Sequence, residues 1–256
     1  VTTGAGASVE IHLGCDKDAV AVGDRKITAD DAARLVAGTD VVVNKVQRAA
    51  AAIGEVYVAT EDQEIFDDVV NNGGNSIITS RNHKTGTDRI FEAYKKLNIS
   101  NVDYILNLQG DEPLLDTKDI IKLNNQINNF DLDMGTLACK IIEDRKYDDE
   151  NIVKVKTKEE LNENNISKAE SFFRKPENLD KLNIYHHIGI YQYKVSVLER
   201  IISLKQTNNE KKLRLEQLRA LENNIDISLV LAKSMPIGVD TKEDYKKVKK
   251  LLETNN

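Results

Sequence analysis

A chain of 256 residues with 40% hydrophobic positions can bury a core of its own, and its net charge of -6 argues against holding nucleic acid through the phosphates. Its two cysteines, Cys15 and Cys139, fall outside any CxxC spacing, which argues against a disulfide framework or a zinc cluster and fits a reducing cytoplasm. No apolar run reaches the length of a membrane span, and the opening VTTGAGASVEIHL lacks the charged start and apolar centre of a signal peptide. The expectation is a soluble protein with a small-molecule partner.

The first 52 residues differ in composition from the rest. They are rich in Ala, Val, Asp and Thr, with Asn44 as their only asparagine, whereas Lys, Asn and Ile dominate from residue 53 onward. VEIHL (9–13) is a candidate first strand. EVYVAT (55–60) predicts a strand, and EDQEIFDDVVNNGG predicts a helix closing at Gly73 and Gly74. NSIITS (75–80) and DYILNLQ (103–109) read as further strands, separated by the loop RNHKTGT and the helix DRIFEAYKKLN. After the helix TKDIIKLNNQINN, strands are expected at DMGTLACKI, NIVKVKT, HHIGIYQYK and DISLVLAK. Helices are expected at VSVLERIIS, at NEKKLRLEQLRALENN as one piece, and at KEDYKKVKKLLE. This alternation predicts an α/β fold around a mainly parallel sheet, and the length suits one large domain, or a domain with a small lobe, over 1–256.

In such a sheet ligands bind beyond the carboxyl ends of the strands, which is where QGDEP places Asp111 and Glu112. Mg²⁺ takes one or two carboxylates together with substrate phosphates, so Asp111 is a candidate ligand; an acidic turn into Pro113 is the plainer alternative. Asp240 in PIGVDTKED has the same two readings, a second metal ligand or the N-cap of the following helix. In HKTGTDR (83–89), Gly86 and Thr87 suit backbone contact with a base or phosphate, and a helix cap explains them nearly as well. His186 and His187 open a strand without any metal-binding spacing.

Taken in order, VATEDQEI (58–65), HKTGTDR, NLQGDEPLL (107–115), MGTLA (134–138), NIVKV (151–155), HHIGIYQY (186–193), LEQLRALEN (215–223) and GVDT (238–241) resemble the 3-deoxy-manno-octulosonate (Kdo) cytidylyltransferases. The resemblance implies a three-layer, Rossmann-like nucleotide-diphospho-sugar transferase fold with a mainly parallel central sheet and a smaller dimerisation lobe. It also implies a cytoplasmic homodimer that joins CTP to Kdo, releasing pyrophosphate, for lipopolysaccharide synthesis. Residue by residue, Asp111 and Asp240 match the catalytic Mg²⁺-binding aspartates. Gly86, Arg89 and Gln109 match nucleotide-binding positions, and His187, Glu216 and Gln217 match residues facing the sugar acid. Thr85 stands where the family has Ser, and His186 where it has Arg. FFRKP (172–176) resembles a family segment whose cation would be Arg174 or Lys175.

The family-like part is 53–256; 1–52 is an atypical region without the family's phosphate-gripping loop. Thr39 and Asp40 replace a Lys-Pro pair there, and Lys17, Arg25 and Lys26 are its cations before Arg34. Two alternatives follow: from His186 and the loose FFRKP match, transfer to a related sugar acid such as 8-amino-Kdo or a nonulosonate; from the missing loop, a non-catalytic remnant of the family.

Overall fold

The computed structural model describes residues 8–12, 53–109, 114–176, 181–233, 235–236 and 242–254. The chain divides into two compact units, Val1–Ile120 with Pro236–Asn256, and Ile121–Met235. The expected phosphate-region cations Lys17, Arg25 and Lys26, and Thr39 and Asp40, lie outside the described residues.

In the first unit, β1 (Ser8–His12), β2 (Val56–Thr60), β3 (Ser76–Ile78) and β4 (Tyr104–Gln109) form a parallel sheet in the order β3-β2-β1-β4. β1 bears out VEIHL as the first strand. Tyr104, Ile105, Leu106 and Leu108 are all buried, so consecutive apolar residues cover both faces of β4, as an interior parallel strand requires.

Helix α1 (Gln63–Asn71) starts at Asp62, whose carboxylate accepts from the Glu64 and Ile65 amides at 2.8 and 3.4 Å. It ends where Gly73, at φ +80°, turns the chain back so that the Gly73 and Gly74 amides reach Val70 O and Val69 O. α2 (Gly86–Leu97) is capped by Thr85 and stopped by Asn98 in the left-handed region, with Lys95 and Lys96 near its negative end. The C-terminal helix of the chain, Lys242–Thr254, belongs to this unit.

The second unit holds most of α3 (Thr117–Asn129), then β5 (Met134–Lys140), α4 (Arg145–Asp148), β6 (Lys154–Thr157), β7 (Ile166–Phe173) and β8 (Ile184–Lys194). α5 (Val195–Ser203), α6 (Asn208–Leu213), α7 (Gln217–Glu222) and β9 (Ser228–Leu231) follow, which makes the final helix α8. Its strands run in the order β8-β5-β9-β7-β6, and β6 also pairs with β8, so the pairings form a closed circuit. Of these ladders only β5–β9 is parallel. The expectation of a mainly parallel sheet therefore describes the first unit, and the second is mainly antiparallel. Leu123, Ile127, Leu137, Val155, Leu161, Leu229 and Val230 are fully buried in its core.

Three elements differ from expectation, the unanticipated short helix α4 among them. The expected helix 209–224 is broken at Arg214, which adopts φ +56° and separates α6 from α7. The Arg214 and Leu215 amides both return to Glu210 O, closing the first helix early. β7 was not anticipated: its inward residues include Ser167 and Ala169, and small side chains hide the alternation that marks a strand.

Candidate functional site

The first unit gathers sequence-predicted nucleotide residues beyond the carboxyl ends of β2 and β3. Arg89, 4% exposed on the first turn of α2, donates from Nη1 to Thr79 Oγ1 at 2.8 Å and to Ser80 O at 3.1 Å. Its Nη2 pairs with the Glu61 carboxylate just past β2. Arg89 thus ties together the segments leaving two neighbouring parallel strands. Thr85 accepts from the Asp88 amide at 3.3 Å and donates to Asp88 Oδ2 at 2.9 Å, a cap that Ser or Thr can make. Gly86 is the first residue of the helix behind that cap.

The intervening loop is held from α2 as well. Glu92 accepts from the Ser80 amide at 3.1 Å with both oxygens, pairs with His83, and meets Lys96 at 2.6 Å. Burial pushes the Glu92 carboxyl up, but Lys96, the Ser80 amide and His83 together outweigh it and hold the group down to about 2.

Gln109 is the last residue of β4, paired in register with His12. Asp111, Glu112, Pro113, Asp240 and Thr241 lie outside the described residues. Among the described residues no cluster of three His, Cys, Asp or Glu is placed to hold a metal.

In the second unit, the sugar-facing candidate His187 lies on β8 with 7% of its surface exposed. Its Nε2 is 3.1 Å from Thr136 Oγ1, the edge of Phe172 meets it at 5.2 Å, and Tyr191 lies tilted at 5.4 Å. Tyr193 continues the row, stacked on Tyr191 at 5.8 Å. Burial, and then the neighbouring His186, pull the His187 imidazole down to about 3, so it is neutral near pH 7. The Tyr191 phenol is pushed well above its ordinary value by burial first, then by Tyr193 and Glu216, and its buried Oη has no hydrogen-bond partner among the described residues. Glu216, whose charge acts on the Tyr191 phenol, is the N-cap residue of α7. Gln217, 6% exposed, is the first residue of α7.

The α6–α7 corner carrying Glu216 and Gln217 is set by Glu210 and Arg219. Arg219 Nε lies 3.1 Å from both Glu210 oxygens and Nη2 lies 2.5 Å from Oε1. Glu210 also completes a capping box with Thr207.

Of the pair Arg174 and Lys175, Arg174 is anchored: its Nε donates to Leu213 O at 3.0 Å and Nη1 to Glu150 O at 3.1 Å, while Lys175 is exposed. Beneath it, Lys154 is fully buried, with Nζ donating to Arg174 O at 2.5 Å and to Asp149 O. Burial pulls the Lys154 ammonium down, opposed by Asp149 and Asp148. His186 faces Lys154 across the β6–β8 ladder; burial, then Lys146 and Lys154, lower it to about 4, and its buried Nδ1 has no hydrogen-bond partner among the described residues. Sequence reasoning missed Thr136, Phe172, Tyr191, Glu61 and the Glu210–Arg219 pair; Thr136 and Tyr191 stood inside the quoted MGTLA and HHIGIYQY segments.

Comparison with known proteins adds three findings. A cytidylyltransferase family model matches residues 39–227. The 3-deoxy-manno-octulosonate cytidylyltransferase of Bartonella henselae is 38% identical over 219 residues, 85% of this chain and 89% of that protein, and the Brucella ovis protein of the same name is 37% identical over 211 residues, 82% and 84%. A solved CMP:2-keto-3-deoxy-manno-octonic acid synthetase complexed with CTP superposes with a TM-score of 0.78 at 27% identity, covering 98% of this chain and all of that one. Among the described residues no helix is long and apolar enough to cross a membrane.

Proposed function

The chain belongs to the 3-deoxy-manno-octulosonate cytidylyltransferase (CMP-Kdo synthetase) family, and we propose from that membership that it joins CTP to Kdo, giving CMP-Kdo and pyrophosphate for lipopolysaccharide synthesis. The anomeric hydroxyl of the sugar acid attacks the α-phosphorus of CTP in line, and pyrophosphate leaves. What carries this reading is family similarity running through both compact units. The Arg89 and Glu92 contacts suit it, because they pre-set a loop beyond parallel strands, and a loop whose backbone is fixed before binding loses less entropy on meeting a base.

In this reading Gly86, Arg89 and Gln109 serve the nucleotide. Arg89 acts by holding Thr79, Ser80 and Glu61 in place, leaving backbone groups of the loop to read the cytosine. His187, Glu216 and Gln217 serve the sugar acid, with Arg174 supplying positive charge near its carboxylate. The two carboxylates Asp111 and Asp240 are a hard-oxygen donor set that fits Mg²⁺, and Asp111 follows Gln109, the last residue of β4, by two positions. They would hold the ion, which when bound neutralises charge on the triphosphate. The reading also carries a single cytidylyltransferase domain of Rossmann-like layering, a homodimer made through a smaller lobe, and a cytoplasmic location.

The deciding assay is pyrophosphate release from CTP by the purified protein with Mg²⁺. Release that depends on Kdo is expected. A folded protein that binds CTP and releases no pyrophosphate with any of Kdo, 8-amino-Kdo or a nonulosonate would overturn catalysis.

A further inference from the structure

The contacts of Thr136 dictate where its hydroxyl proton points. Its Oγ1, fully buried, lies 2.6 Å from Ile190 O, 3.1 Å from Ile188 O and 3.1 Å from His187 Nε2. It occupies the irregularity in the β5–β8 ladder, where the register passes from Thr136 opposite Tyr191 directly to Leu137 opposite Ile188. A hydroxyl has one proton to give, and both carbonyls can only accept. At 2.6 Å two oxygens without a proton between them repel, so the Thr136 proton points at Ile190 O, the closest acceptor. The oxygen then has only lone pairs left for the imidazole. Nε2 must carry a proton to complete the 3.1 Å contact, and in a neutral ring the proton is then absent from Nδ1.

We propose that Thr136 is a positioning residue that holds His187 as the Nε2–H tautomer, so that His187 presents a bare Nδ1 lone pair to a hydroxyl of the sugar acid. The assignment of the sugar to this ring rests on the reading given under Proposed function. Burial and His186 keep the ring neutral, which leaves it unable to offer Nδ1 as a donor. Among the described residues Nδ1 has no hydrogen-bond partner of its own. Phe172 at an interplanar angle of 86° and Tyr191 at 39° pack against the ring and restrict its rotation. A lone pair attracts a hydroxyl proton and repels a carboxylate. His187 therefore selects for a hydroxyl at its position and turns the acid group of the sugar away from itself.

The test combines a spectroscopic and a kinetic measurement on the full chain. Long-range ¹H–¹⁵N correlation on protein labelled at its four histidines, with His187 assigned by comparison with His187→Gln, should show a protonated Nε2 and a bare Nδ1. Saturating Kdo should shift that Nδ1 resonance. A protonated Nδ1 overturns the tautomer while leaving the sugar reading intact, whereas the correct tautomer with an Nδ1 unmoved by Kdo overturns the sugar reading at this ring. In kinetics, Thr136→Val should raise KM for Kdo about tenfold with KM for CTP within about twofold, and Thr136→Ser, which keeps the hydroxyl, should restore it. Equal changes in both KM values, or none, overturn the positioning role. The spectrum of the native protein decides the tautomer even where Thr136→Val does not fold.

Discussion

Glu210 and Arg219 are joined by three N–H···O contacts although their side chains are only 3% and 4% exposed, and the bond they make spans the left-handed break at Arg214. Removing either side chain breaks a buried, hydrogen-bonded charge pair. Arg219→Met or Glu210→Leu alone should cost about 3–5 kcal/mol in urea unfolding, and the double replacement should cost less than the sum of the two. Because the pair fixes the corner that presents Glu216 and Gln217, surviving single variants should show a larger rise in KM for Kdo than for CTP.

Arg89→Lys keeps the charge and loses the fork that reaches Thr79, Ser80 and Glu61 together. Steady-state assays with CTP varied at saturating Kdo should give a KM for CTP raised about tenfold, with a smaller change in kcat.

Acid should loosen the same loop. The Glu92 carboxyl is held near 2 in the fold against 4.5 unfolded, so its contribution is complete above about 4.5 and is lost as pH falls toward 2. Being partly open to water, the group should contribute about 2 kcal/mol. Glu92→Gln should lower stability at pH 7 by that order and flatten the dependence between pH 5 and pH 2, measured by thermal unfolding across about that range.

Lys154→Met removes the donor that satisfies Asp149 O and Arg174 O. Two carbonyls left without their partner should destabilise the protein by about 2–4 kcal/mol in urea titration, despite the added apolar volume.

Gly135 on β5 has no room for a side chain: an added Cβ would lie 2.5 Å from Ile127 Cγ1 and 3.3 Å from Leu123 Cδ1. Gly135→Ala should cost about 1–3 kcal/mol, and adding Ile127→Ala should cost less than its own single effect predicts, since the cavity accepts the new methyl.

Local signals were legible where one element decides the outcome. TKDIIKLNNQINN and VSVLERIIS form α3 and α5 over the expected residues, because apolar spacing alone defines a helix face. The helix expected over 209–224 failed because its break comes from Arg214 leaving the helix so that Glu210 can meet Arg219, a contact that propensity does not encode. At the site, Gly86 and Arg89 were visible as a loop opening a helix. The bond from Thr136 to His187 joins positions 51 apart and depends on a ladder irregularity, so nothing in either segment announces it. The contacts of Arg174 with Leu213 O and Glu150 O likewise join positions 39 and 24 apart, which the FFRKP segment does not announce.

The closed circuit of strands in the second unit has a consequence for synthesis. β5 begins at Met134, yet one of its two partners there, β9, ends only at Leu231, and β7 also waits for β9. A nascent chain cannot close the circuit until nearly all of that unit has left the ribosome, so its folding is late and governed by distant contacts. A chain stopped before residue 228 would expose an unpaired edge on both β5 and β7, the form of the protein most open to aggregation and proteolysis.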